Sequence, residues 1–187
     1  MKPTNKLLVL ALLAGAFAPR GTLAQTAQAE SARAVQASNP LKEFGDLVAG
    51  RWMSEIVFAV DLPGLGKKGD KVTGFDTWRW AVDGALLENN WLLGATSGRV
   101  TAWWDASAGQ IMALEVESGG GWAQGPIVKQ RAKWVWSRAG AFTDGRRVEF
   151  LGSYSVEDNG QTLIHAGTAI LEGARNEYRD VYRRVGK

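Results

Sequence analysis

From Arg51 onward, short runs rich in β-branched and aromatic residues alternate with Gly, Asp and Asn clusters about every ten residues. The pattern predicts strands at 51–60, 71–82, 85–95, 98–104, 110–118, 131–138, 146–157, 161–171 and 175–185. Asp83-Gly84, Thr96-Ser97-Gly98, Asp105 to Gly109, Asp144-Gly145 and Asp158-Asn159-Gly160 carry hairpin chemistry, so neighbouring strands should run antiparallel. A meander of about 8–10 strands leaves two unpaired edges unless the sheet closes on itself. The expected fold is therefore all-β, an antiparallel up-and-down meander closed into a barrel. An interior of that size either fills with side chains or holds one small ligand.

Just before the first strand, Asn39 is a good N-cap, Pro40 suits the first helical position and Gly50 can stop a helix. Leu41, Phe44, Leu47 and Val48 recur at helical spacing between them. A short amphipathic helix in this place is expected to plug one end of the barrel. Two connections are longer than hairpins. Asp61 to Asp70 is rich in Gly and Pro, and Ser118 to Lys129 contains Gly119-Gly120-Gly121 and Gly125-Pro126. Both are read as irregular loops, either lids able to cover a barrel mouth or tolerated insertions.

Residues 1–24 have the pattern of a secretory signal peptide, with Lys2 and Lys6, an apolar core from Leu7 to Ala18, and Thr22-Leu23-Ala24 as the cleavage site. Residues 25–38, rich in Ala, Gln and Ser, read as a flexible linker, and 39–187 as the barrel domain. The expected location is periplasmic or secreted. With no cysteine in the chain, disulfides, thiol catalysis, zinc-thiolate sites and lipid attachment at a cysteine are all excluded. The formal charge of +3 comes from the leader: without Lys2, Lys6 and Arg20, the 22 basic residues fall level with the 19 acidic ones. A neutral domain gives no electrostatic reason to expect nucleic acid, and no apolar run is long enough for a helical membrane span.

Nine tryptophans are the compositional oddity. Trp78 and Trp80 share one strand face, as do Trp134 and Trp136, by the period of two. In a barrel such pairs converge inward, where rigid rings either fill the core or line a pocket. Trp78, Trp80, Trp91, Trp134, Trp136 and His165 are the expected ligand-binding residues. Trp103 and Trp104 are adjacent and must face opposite ways, so one ring is left for a homodimer contact or a partner.

His165 is the only histidine, which excludes multi-histidine metal sites. An inward His165 could serve as a general base with an inward carboxylate. Asp76 and Glu115 alternate with apolar residues and are candidates for that partner. Strand charges usually face outward, which is the default for these two and for Glu88, Glu117 and Glu149. Arg131 and Arg99 are candidate inward anchors for an anion. No phosphate loop, nucleophile elbow or calcium loop is present in the sequence.

Gly50-Arg51-Trp52 resembles the Gly-x-Trp signature that opens the first strand of lipocalin-type (calycin) barrels. The layout from Phe44 to Val185, with Trp80-Ala81-Val82-Asp83-Gly84, Trp104-Asp105 and Tyr182-Arg183-Arg184-Val185, is similar to secreted bacterial lipocalin-like domains. The resemblance implies that Trp52 closes the barrel base against a basic residue of the last strand. Arg179, Arg183 and Arg184 are the candidates, and Gly50, Trp52 and Arg183 form the expected structural set. Some barrels of this kind hold haem through one late-strand histidine, which would make His165 a haem ligand; otherwise no cofactor and no metal is implied. The leading expectation is a barrel that binds a small apolar or aromatic ligand without transforming it. The alternative is an isomerase- or lyase-type barrel enzyme working through His165.

Overall fold

The computed structural model describes residues 39–62 and 65–186. The expected signal peptide and linker lie outside these residues. Helix α1 (Pro40–Val48) is followed by ten strands: β1 (Gly50–Val57), β2 (Lys71–Ala81), β3 (Leu86–Leu93), β4 (Thr96–Asp105), β5 (Gln110–Glu117), β6 (Trp122–Gln130), β7 (Lys133–Ala141), β8 (Arg147–Glu157), β9 (Thr162–Leu171) and β10 (Ala174–Arg184). Each strand pairs antiparallel with the next, and β10 returns to β1, so the sheet closes. No unpaired edge remains.

The expected meander is present, with one strand more than the sequence reading gave. Ser118 to Lys129 is not an irregular loop: Trp122 to Gln130 forms β6 between β5 and β7. Gly and Pro disguise it. Pro126 has no amide hydrogen, and the β6–β7 ladder skips from Gln124↔Ala139 to Ile127↔Trp136 around it. The turn expected at Thr96-Ser97-Gly98 is a strand start, and Gly94-Ala95 makes that hairpin instead.

Helix α1 forms as its sequence dictates. The Asn39 side chain accepts the Leu41 amide at 2.9 Å, and Pro40 occupies the first turn. Its apolar face, Leu41, Phe44 and Val48, is buried against the barrel end, where Phe44 meets Trp78, Trp134 and Tyr154 at ring separations of 5.9, 5.3 and 5.8 Å. This end is plugged.

Trp52 completes the closure. Its Nε1 donates to the Val48 carbonyl at 2.7 Å, and the Arg184 guanidinium lies 4.1 Å above its ring. Arg184 also donates to the carbonyls of Ala49 at 2.6 Å and Gly160 at 2.9 Å. Gly50 permits this approach: its φ is +130°, and a Cβ there would stand 2.4 Å from Arg184 Nη1. Arg184 is therefore the partner of Trp52, and Arg183, expected in the structural set, is not. The strand period explains the correction. Asp180, Tyr182 and Arg184 share the inner face of β10, whereas Arg183 points outward to Thr162 and Asp158 with its side chain 61% exposed.

Replacing Arg184 by Ala strips Trp52 and two carbonyls of their partner and should cost about 2–3 kcal/mol in urea unfolding, whereas Arg183→Ala should stay within about 0.5 kcal/mol.

Candidate functional site

Between the helix-plugged end and the opposite mouth lies a cavity of about 510 Å³, within the range of about 300–1,000 Å³ usual for small-molecule sites. Strand alternation decides what lines it. Ser54, Asp76 and Trp78, Asn89 and Trp91, Glu115, Trp136 and Arg138, Tyr154, His165, and Tyr178, Asp180 and Tyr182 all face it. The only histidine and all three tyrosines of the chain are gathered here.

Of the six residues expected to bind a ligand, Trp78, Trp91, Trp136 and His165 line the cavity. Trp80 and Trp134 do not, because α1 occupies their end of the barrel. Trp134 packs on Phe44, and Trp80 lies over Gly45, where a Cβ would meet its ring at 2.1 Å. Trp104 packs against the core, while Trp122 is exposed on the outer face.

His165 is held on several sides. Its ring stacks on Tyr154 at 4.7 Å and on Trp136 at 5.0 Å. Nδ1 lies 3.4 Å from Asp180 Oδ2, and Nε2 lies 3.5 Å from the Tyr178 hydroxyl, the outer limit of a hydrogen bond. Tyr178 reaches this position because Gly152 and Gly167, paired opposite each other on β8 and β9, leave its path open. A Cβ on either would stand 2.4 or 2.7 Å from its hydroxyl oxygen. Burial pushes the hydroxyl pKa of Tyr154 up to about 12 and raises Tyr178 and Tyr182 as well, so all three stay neutral donors.

Across the cavity, Arg138 is buried with a salt bridge to Glu115 of 2.6 Å, and its guanidinium lies 3.8 Å above the Trp136 ring. Burial works against the charge on Arg138, but Glu115 and the polar tyrosines outweigh it, and its pKa is raised. Asp76 is bound differently. Asn89 Nδ2 donates to its Oδ1 at 2.8 Å, Ser54 Oγ stands 3.5 Å from its Oδ2, and it forms no salt bridge among the described residues. Desolvation, with like charge from Glu115 and Asp180, pushes its pKa up to about 6. Glu117, nearer the mouth, is raised by burial and by Glu115.

The default of outward strand charges thus fails at Asp76, Glu115 and Glu117, which line the cavity, and holds at Glu88, which pairs outside with Arg79 at 3.1 Å. Arg99 bonds Asn90 on the surface, and Arg131 lies in an exposed turn with φ +57°, so neither is an inward anchor. Arg138 holds that place. Its signal was available: two residues past Trp136, it must share the inward face of Trp134 and Trp136. Asp180 and Tyr182 carried the same signal on β10.

The mouth is covered by the β1–β2 connection. Phe58, Val60, Leu62 and Leu65 line the cavity roof, and Leu62 bridges Gly66. Arg146 Nη2 donates to the Asp61 carbonyl at 3.0 Å, and Lys68 Nζ to Asn176 Oδ1 at 2.9 Å, which straps this segment to the far side. The expected covering role of this connection has a geometric basis.

Among the described residues, five buried side-chain polar atoms lack a hydrogen-bond partner: Trp91 Nε1, Trp136 Nε1, Arg138 Nε, His165 Nδ1 and Asp180 Oδ1. All belong to residues lining this cavity. No group of three or more metal-ligating side chains occurs among the described residues. No protein-family model matches the sequence, and no curated protein is detectably similar to it.

Asp76 ties the site to stability. Its pKa is higher in the folded protein than the ordinary value of 3.8, so the native state holds this proton more tightly than the unfolded chain. That contribution is complete below 3.8, declines as pH rises towards about 6, and is gone above it, where the buried carboxylate is ionised. Asp76→Asn should therefore be more stable than wild type near pH 8, by at most about 3 kcal/mol, with the gain vanishing towards about pH 4 in urea titrations.

Proposed function

We propose that the protein is a binding barrel for one small molecule with an aromatic body and several hydrogen-bonding groups. The observation that carries this reading is that all five unpartnered buried polar atoms belong to residues lining a single cavity walled by aromatic rings. A core built only for stability pairs its buried polar groups, because each one left alone costs about 1–3 kcal/mol. A bound molecule would supply the missing partners. The expectation of an apolar ligand is thereby sharpened to one with polar edges.

Kinship with lipocalin-type barrels belongs to the same proposal. It is supported by the Gly50-Arg51-Trp52 start, the plugging helix and the Arg184 guanidinium over Trp52. The basic and apolar pattern of residues 1–24 supports action outside the cytoplasm.

The single histidine makes the test direct. Aromatic compounds that change the mass in native mass spectrometry should also move the one imidazole resonance, that of His165, in NMR. Hits that leave that resonance unmoved would place binding elsewhere and defeat the proposal.

A second reading rests on a separate observation, the line from Tyr178 through His165 to Asp180. An imidazole oriented by a carboxylate and facing bound substrate is equipped for proton transfer, as in an isomerase or lyase. In D₂O it should catalyse deuterium exchange into a bound ketone next to its carbonyl, and His165→Gln should lower that rate by about 10²–10⁴-fold. Wild-type protein that binds such ketones without exchange would remove this reading. Haem fits less well. His165 is packed against two rings, and an iron on Nε2 would sit against the Tyr178 hydroxyl.

A further inference from the structure

The charges facing the cavity do not balance. Among the described residues, four carboxylates line it, Asp76, Glu115, Glu117 and Asp180, against one arginine and one histidine, and no lysine. Glu115 is neutralised by Arg138 at 2.6 Å. Asp76 has only the neutral donors Asn89 and Ser54. Asp180 has His165 beside Oδ2, while its Oδ1, on a side chain nine-tenths buried, has no partner among the described residues. Buried carboxylates are ordinarily paired with a cation, since an ion stripped of water is costly to leave alone. The missing cation is not supplied by the described residues.

The walls suit the same partner. Trp78, Tyr178 and Tyr182 line this space beside Trp136 and Tyr154, whose rings already carry Arg138 and His165, and ring faces attract organic cations. Trp91 and Trp136, which also line it, each carry a buried indole N–H without an acceptor among the described residues. We infer that the ligand is an organic cation, a protonated amine or nitrogen heterocycle on a planar aromatic body, held by Asp76 and Asp180 and enclosed by the aromatic walls. The inference rests on the binding reading above and adds the sign of the ligand's charge. An anion would have to take Arg138 from Glu115 and face the remaining carboxylates, and a neutral ring would leave Asp76 and Asp180 as they are.

Three probes with one ring system isolate the charge: tryptamine (cation), 3-methylindole (neutral) and indole-3-propionate (anion), titrated calorimetrically into the purified protein at about pH 8. Tryptamine should bind at least about tenfold more tightly than either of the others. Asp76→Asn and Asp180→Asn should each reduce that preference to about threefold or less. Wild-type affinity for tryptamine should also fall about tenfold from about pH 8 to about pH 5 as Asp76 takes up its proton, while that for 3-methylindole stays level. The groups facing Asp76 in that titration are Glu115, Asp180, His165, Arg138, Tyr154 and Tyr182.

Equal or tighter binding of the neutral or anionic probe overturns the cation assignment and leaves the binding barrel standing. Failure of all three to bind overturns both. Should either variant fail to fold, the wild-type ranking and its pH dependence decide the matter alone.

Discussion

The ladder between β1 and β10 is the contact on which the rest of the structure depends. Its register, Trp52↔Arg184, Met53↔Arg183, Ser54↔Tyr182 and Glu55↔Val181, joins the two ends of the meander. Without it the sheet would be open, with two exposed edges and an inner face in water. With it, every second side chain of ten strands is committed to one enclosed volume. Arg184 secures the seam from the inside, bonding the helix end, the β8–β9 turn and the face of Trp52 together. Because that arginine adjoins the closed end, the seam and the plug form one unit.

Closure has a cost at mid-barrel. Strand alternation carries Asp76, Glu115, Arg138, His165 and Asp180 inward with the aromatic rings, and a low-dielectric interior makes their arrangement consequential. One pair, Arg138 and Glu115, is well matched in geometry and charge. Asp76 is not, and its raised pKa records an environment that disfavours its ionised form. Groups that weaken a fold at neutral pH are the ones a binding site has reason to keep. The same holds for Gly152 and Gly167, whose missing side chains weaken two strands but let Tyr178 reach His165.

The two ends of the barrel are treated differently, and this gives the cavity its direction. At one end α1 and a layer of Phe44, Trp78, Trp134 and Trp52 are packed without an opening. At the other, the β1–β2 connection crosses the mouth, tied down at the surface by Arg146 and Lys68 and packed through Val60 and Leu62 into a small apolar cluster with Val148, Leu171, Phe142 and Phe150. Surface polar ties open at lower free energy than buried packing does. The strapped mouth is therefore held by less buried packing than the plugged end.

The sequence by itself determined the class of fold, the plugging helix and the structural place of Trp52, because each rests on local periodicity and end signals: Asn39 and Pro40 at the helix start, hairpin residues between strands, and Gly50-Arg51-Trp52 at the hand-over. It misread β6, where Gly125 and Pro126 erase the local strand signal although two neighbouring strands impose one. It also placed Trp80 and Trp134 in the binding site, since alternation tells which face a residue occupies but not how far along the barrel axis it lies. Only the tertiary structure decided that depth. It also decided that Arg184 rather than Arg183 meets Trp52, and that Asp76, Glu115, Arg138, His165 and Asp180 share one cavity. Those residues come from five strands separated in the chain by up to about a hundred residues. Their meeting follows from register and closure, which are properties of the whole sheet.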